Sequence, residues 1–201
     1  SEATVERNGK QYQVKLETQF PLNGIISITI SGKDCSKIAI RHPAWSSGVK
    51  VKKNGREIFC ERSESGYILV DLDTQEINRI DLEFQMEPIV IAANRKISYD
   101  ARKAAIIMGP LLYCFESIDN GSEIEELGLY AQGELETKRN SIAGKEINTI
   151  YAKGTRRREL EGDTLYGVYQ EMKEDVKLTA IPYFLWNNRG EGEMKVWIPV
   201  E

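Results

Sequence analysis

The chain has 201 residues, 41% hydrophobic and 29% charged, with a formal charge of −4 and a pI near 5.3. That balance suits one large or two small soluble domains and argues against non-specific binding of nucleic acid. No apolar run is long enough to span a bilayer, so neither nucleic acid nor a membrane is an expected partner.

Short alternating segments follow one another from the start. The first residues, Ser1 to Val5, are strand-like and carry no signal-peptide pattern, which suggests that residue 1 is a cut in a longer polypeptide. Tyr12-Gln-Val-Lys-Leu16 and Ile26-Ser-Ile-Thr-Ile30 place apolar side chains at every second position, one face buried and the other wet. Lys37 to Arg41 continues the pattern. Val49 to Lys52 and Arg56 to Phe59 flank Asn54-Gly55, a pair suited to the positive φ angles of a type I′ hairpin. Gly66 to Val70 and Arg79 to Phe84 add two strands, and Pro88 is expected to end the last of them.

Beyond Pro88 the pattern changes to near-continuous apolar runs, Ile89 to Ala93, Lys103 to Met108 and Leu111 to Phe115, expected to be strands covered on both sides. Gly109-Pro110 marks a turn between the last two. Residues 117–145 are polar and weak in strand signal, with Ser122 and Glu125 as a capping box for one helical turn. Strands return at Ile147–Tyr151, Val176–Ile181 and Met194–Ile198. The expected fold is all-β, two antiparallel, jelly-roll-like β-sandwich domains packed in tandem with almost no helix. The expected domains are residues 1–89 and 90–201, with the boundary somewhere in residues 88–98.

Few residues suggest chemistry. Cys35, Cys60 and Cys114 are an odd number at wide spacing and read as buried thiols, not as a disulfide framework or a zinc site. His42 is the one histidine, which excludes clusters of histidine ligands, and no Gly-x-Ser-x-Gly elbow supports a triad. It reads as a strand-end residue. A glycosidase needs two carboxylates at a set separation, and sequence cannot choose such a pair among 31 acids. Glu123, Glu125 and Glu126 read as solvated surface. Arg156-Arg-Arg158, followed by Glu159 and Glu161, reads as a solvated or interdomain face. Tyr183, Phe184 and Trp186 are the strongest candidates, because they lie together in a segment that follows a strand and ends in Gly190 and Gly192. They either fill an interface, the preferred reading, or form a platform for a sugar.

Several segments, in order, resemble the C-terminal β regions of bacterial β-L-arabinofuranosidases of glycoside hydrolase family 127. Leu16-Glu-Thr-Gln-Phe-Pro-Leu-Asn-Gly24 is similar to that family's T-x-Y/F-P-W-x-G strand, and Ile40-Arg-His-Pro-Ala-Trp45 to L-R-I-P-x-W. Asn54-Gly55 matches a V-N-G hairpin, and Gly109-Pro-Leu-Leu-Tyr-Cys114 matches G-P-L-V-Y-C. Leu178-Thr-Ala-Ile-Pro-Tyr183, Trp186-Asn-Asn-Arg-Gly190 and Met194-Lys-Val-Trp197 follow the terminal A-I-P-Y-x-x-W-x-N-R-G. His42, Leu22 and Asp73-Thr-Gln-Glu-Ile77 depart from the pattern and leave the sugar open.

The resemblance implies a full enzyme in which an α/α toroid precedes two β-sandwiches. It implies a zinc-bound cysteine thiolate as nucleophile and a glutamate acid/base, both in the toroid. The ligand pattern, a Glu-x-Cys step and adjacent cysteines, is missing from this chain, so no catalytic residue and no metal ligand carries over and no cofactor is expected in this chain. The expected role is a non-catalytic accessory segment that supports the toroid of the same polypeptide. Tyr183, Trp186, Asn188 and Arg189 are the candidate contacts. The alternative is a carbohydrate-binding module in which the loop from Tyr183 to Arg189 holds a glycan. The compartment, bacterial cytoplasm or periplasm, stays open.

Overall fold

A period of two commits each strand to one buried face, and the strands of the first unit sort by that rule. The computed structural model describes residues 1–73, 76–158, 165–168 and 172–201. They divide into two units, Ser1–Met86 and Glu87–Glu201. Thr74 and Gln75 of the departing turn, and Glu159 and Glu161 after the arginine run, lie outside the described residues.

The first unit contains β1 (Glu2–Arg7), β2 (Lys10–Thr18), β3 (Ile25–Ser31), β4 (Lys37–Arg41), β5 (Val49–Lys53), β6 (Arg56–Ile58), β7 (Tyr67–Asp71) and β8 (Ile77–Phe84). Among the described residues, one antiparallel sheet runs in the order β1-β2-β3-β8-β5-β6, and β4 pairs with β7 as a separate, narrower layer. Ile26 lies opposite Leu82 and Ile28 opposite Ile80. Ile68 and Val70 of β7, with Ile38 and Ile40 of β4, pack against that apolar face. Complete burial of an Ile or Leu here stabilises the unit by roughly 1.5–3 kcal/mol per side chain. Asn54 and Gly55 take φ values of 49° and 81°, so the expected two-residue turn joins β5 to β6.

The second unit contains β9 (Pro88–Ala92), β10 (Lys103–Met108), β11 (Leu111–Glu116), α1 (Ser117–Asn120), β12 (Leu127–Leu129), β13 (Glu136–Ile142), β14 (Lys145–Arg157), β15 (Lys173–Pro182), β16 (Met194–Lys195) and β17 (Ile198–Pro199). The order is β12-β14-β15-β11-β10-β17, with β13 on β14, β16 on β11 and β9 on β10. The ends of this order meet. Leu129 and Val200 form an isolated parallel bridge, and Glu201 N–H donates to the Leu129 carbonyl at 3.0 Å. The sheet therefore curls on itself around Ile106, Tyr113, Phe115, Ile150, Leu178 and Ile181, all buried.

Five expectations are corrected. The division falls between Met86 and Glu87, slightly before the expected 89/90. Pro88 does not end β8, which stops at Phe84. It opens β9, where it faces Met108, and the first position of an outer strand tolerates a missing donor. That outer position also leaves Ile89 exposed, so β9 is not covered on both sides, whereas β10 and β11 are largely buried. The capping box does not form. Ile124–Glu126 does make one helical turn, but Glu123 at φ 60° precedes it with no side-chain cap. Half-buried Arg156 fixes this stretch instead of lying on a solvated face. Its Nη1 donates to the Ser122 carbonyl at 2.5 Å and its Nη2 to that of Asn120. No helix among the described residues is long and apolar enough to cross a membrane.

Candidate functional site

The end of β15 is held by β11: Tyr113 faces Pro182, Cys114 faces Ile181 and Phe115 faces Ala180. Pro182 ends the ladder, and Tyr183–Leu185 makes a single 3-10 turn anchored by buried Leu185. The chain then reverses. Asn187 adopts φ 61°, and its N–H donates to Glu116 Oε1 at 2.9 Å. The Asn188 side-chain amide donates to the carbonyls of Leu185 at 3.1 Å and Trp186 at 3.2 Å. A short polar side chain thus supplies partners that a tight loop cannot find within a sheet.

Arg189 closes the loop from below. Its Nη1 donates to Asp119 Oδ1 at 2.8 Å, and its Nη2 reaches both Glu116 and Asp119. Glu116 is 4% exposed, so its carboxylate depends on this guanidinium for compensation. One planar cation shared by two carboxylates is a geometry that arginine makes and lysine does not. Beneath it the Cys114 thiol is pushed up to about 12, first by burial and then by the Glu116 charge, which leaves it inert as a nucleophile.

The loop therefore presents rings from a fixed frame. Tyr183 and Trp186 are stacked, with centroids 6.1 Å apart and planes 20° from parallel. They are 42% and 41% exposed, and Phe184 beside them lies under the Lys145 ammonium at 5.5 Å. Of the four expected contact residues, Tyr183 and Trp186 come together at the surface. Asn188 donates within the loop and Arg189 to Glu116 and Asp119 outside it, so their role is to shape the loop. Glu116 and Asp119 are the residues that sequence reasoning missed, since they sit in a different strand and in α1.

Chemistry of its own finds little support. Glu116 and Asp119 are a carboxylate pair, but both are engaged by Arg189. Glu125 pairs with Lys195. Cys35 and Cys60 are half-buried and Cys114 is buried, and all three are free thiols. Among the described residues no group of three His, Cys, Asp or Glu side chains could hold a metal ion.

His42 follows β4, and its N–H donates to the Gly66 carbonyl at 2.9 Å. The ring is buried beside Phe84 at 5.9 Å, with Nδ1 unpartnered among the described residues. Burial, then the Arg62 charge, holds its pKa below the ordinary 6.5. The unfolded chain thus binds the proton more readily, so this contribution is complete above about pH 6.5 and is lost as pH falls below it. Urea midpoints of the first unit should drop more between about pH 8 and about pH 5.5 in the parent chain than in His42→Gln. Equal drops would place the acid sensitivity elsewhere.

Residues 88–199 match the family described as "Glycoside hydrolase family 127 C-terminal domain", and residues 1–86 match "Beta-L-arabinofuranosidase, GH127 middle domain". A non-reducing end β-L-arabinofuranosidase of Bifidobacterium longum subsp. longum is 28% identical over 198 residues, which is 92% of this chain and 30% of that protein. The crystal structure of a GH127 β-L-arabinofuranosidase from Geobacillus stearothermophilus T6 superposes with a TM-score of 0.87 at 29% identity, over 100% of this chain and 32% of that one. A further solved glycoside hydrolase gives 0.81 at 25% identity, over 99% and 34%. The chain spans about a third of the length of these relatives.

Proposed function

Because the chain belongs to glycoside hydrolase family 127, whose middle and C-terminal domains it carries, we propose that it is a non-catalytic accessory segment supporting a catalytic toroid in the same polypeptide. Its contact is the ring pair Tyr183–Trp186. The toroid would hold the zinc-bound thiolate that the family resemblance implies, since the cysteines of this chain are separate free thiols. What supports this role is the rigid presentation of the rings: Glu116, Asp119 and Arg189 fix the loop, and both rings stay about two-fifths exposed. Large rings held in a fixed frame lose little entropy on docking and anchor interfaces well.

A carbohydrate-binding module is the second reading, favoured by the near-parallel planes of Tyr183 and Trp186. Sedimentation of the chain and calorimetry against arabinan and galactan separate the two. The accessory role predicts concentration-dependent self-association through the unsatisfied rings, weakened at least tenfold by Trp186→Ala, and no heat with either glycan. A monomer that binds glycan, with binding lost in Trp186→Ala, would replace the accessory role by the module.

A further inference from the structure

A second surface of the Glu87–Glu201 unit, whose lining includes no residue of the ring loop, has the makings of a ligand site. The outward face of β14 and β15, with the connection from β12 to β13, encloses a groove of about 610 Å³. That size is within the range of small-ligand clefts. Tyr130 is placed at one end by the ladder, since its N–H donates to the Lys153 carbonyl at 3.2 Å. Its hydroxyl donates to Asp175 Oδ1 at 2.7 Å, which fixes the ring against β15. Tyr151 lines the wall, with the Lys177 ammonium 4.2 Å from its ring centroid. Glu136 holds that ammonium at 3.6 Å.

The lining keeps unused hydrogen-bonding capacity of both kinds. Lys153 lies directly opposite Lys177 in the β14–β15 ladder, an unfavourable pairing of like charges. Among the described residues, the Lys153 ammonium, the Glu134 carboxylate and the second oxygen of Asp175 have no hydrogen-bond partner. Carboxylates accept from hydroxyls and ammonium groups donate to them, while two phenol rings supply flat apolar contact. An anion would meet three carboxylates here and a cation two lysines. A neutral polyhydroxylated ligand meets neither repulsion.

We propose that this groove is a saccharide-binding site for neutral oligosaccharides, separate from the Tyr183–Trp186 loop. It does not depend on whether that loop docks a toroid or a glycan. The test is an NMR titration of the 15N-labelled chain with arabinotriose and galactotriose, and with oligogalacturonate as a charged comparator. The expected result is shift changes at Tyr130, Tyr151, Lys153 and Asp175 with at least one neutral sugar, at a dissociation constant on the order of 1 mM. Asp175→Asn and Lys153→Ala, exposed changes that leave the core intact, should each weaken binding about tenfold, and Trp186→Ala should leave it unchanged. Three results would overturn the site: shifts confined to residues 183–189, no shifts with either neutral sugar, or preference for oligogalacturonate over both.

Discussion

Arg189→Ala should cost the second unit about 3–5 kcal/mol, far more than an exposed ion pair is worth. The side chain is 19% exposed and the more buried of its two partners, Glu116, 5%, so the substitution strands a carboxylate away from water instead of releasing it. It also leaves Asp119 without its cation, and the frame of the 183–189 loop should loosen. Because two units melt in one chain, a single global transition is the wrong readout. Hydrogen exchange resolves the effect: amides of β11 and β15 should lose protection, while those of β3 and β8 keep theirs. Arg189→Met combined with Glu116→Gln and Asp119→Asn should recover much of the loss, as buried ion clusters replaced as a set often do. If Arg189→Ala alone shifts the β11 and β15 amides no more than a surface substitution does, the cluster is not what holds the loop.

Gly154→Ala should be about as damaging, for a different reason. A Cβ at this position would lie 2.1 Å from the Gly128 carbonyl oxygen and 2.5 Å from Leu178 Cδ1. Leu178 could turn aside, but the carbonyl belongs to the β12–β14 pairing, where Gly128 faces Thr155 and Leu129 faces Gly154. Overpacking a core costs about 1–3 kcal/mol, and the cost rises when backbone must move, so about 3 kcal/mol is expected. The position of the damage is as informative as its size. The Glu201 amide, which donates to Leu129, should exchange freely, and Tyr130 should leave Asp175, which removes one wall of the groove. Unchanged protection at Glu201 would mean that β12 tolerates a shift and the close approach is not required.

How far the fold could be read from the residues depended on burial. β3 and β8 were legible because Ile26, Ile28, Ile80 and Leu82 alternate with polar neighbours on a face that another layer covers. β13, Glu-Thr-Lys-Arg-Asn-Ser-Ile, was not, because most of it is exposed and no apolar period marks it. Its turn signal was present in Ala143-Gly144, with φ 49° and 73°, and Asn8-Gly9 at 54° and 71° marks the β1–β2 hairpin in the same way. The ring loop was legible from three aromatics after a strand. The function of Arg189 was not, since Glu116 and Asp119 lie some seventy positions earlier and only the β11–β15 pairing brings them near. The groove is more remote still from any local pattern: Tyr130, Tyr151 and Asp175 come from three separate segments, one of them in a stretch that reads as a polar connection.

The seam at Leu129, Val200 and Glu201 also sets an order of events during synthesis. In the first unit the last core strand, β8, is complete at Phe84, so its layers can assemble while the rest of the chain is still being made. In the second unit Arg102 waits for Val200, whose amide donates to its carbonyl at 3.0 Å, and Leu129 waits for Glu201. Closing contacts so far apart in sequence lowers the folding rate, because the entropy of the intervening chain is lost before the contacts form. Until Ile198–Glu201 leaves the ribosome, β10 and β12 each keep an unpaired edge, and these are the edges on which strands of neighbouring nascent chains can add.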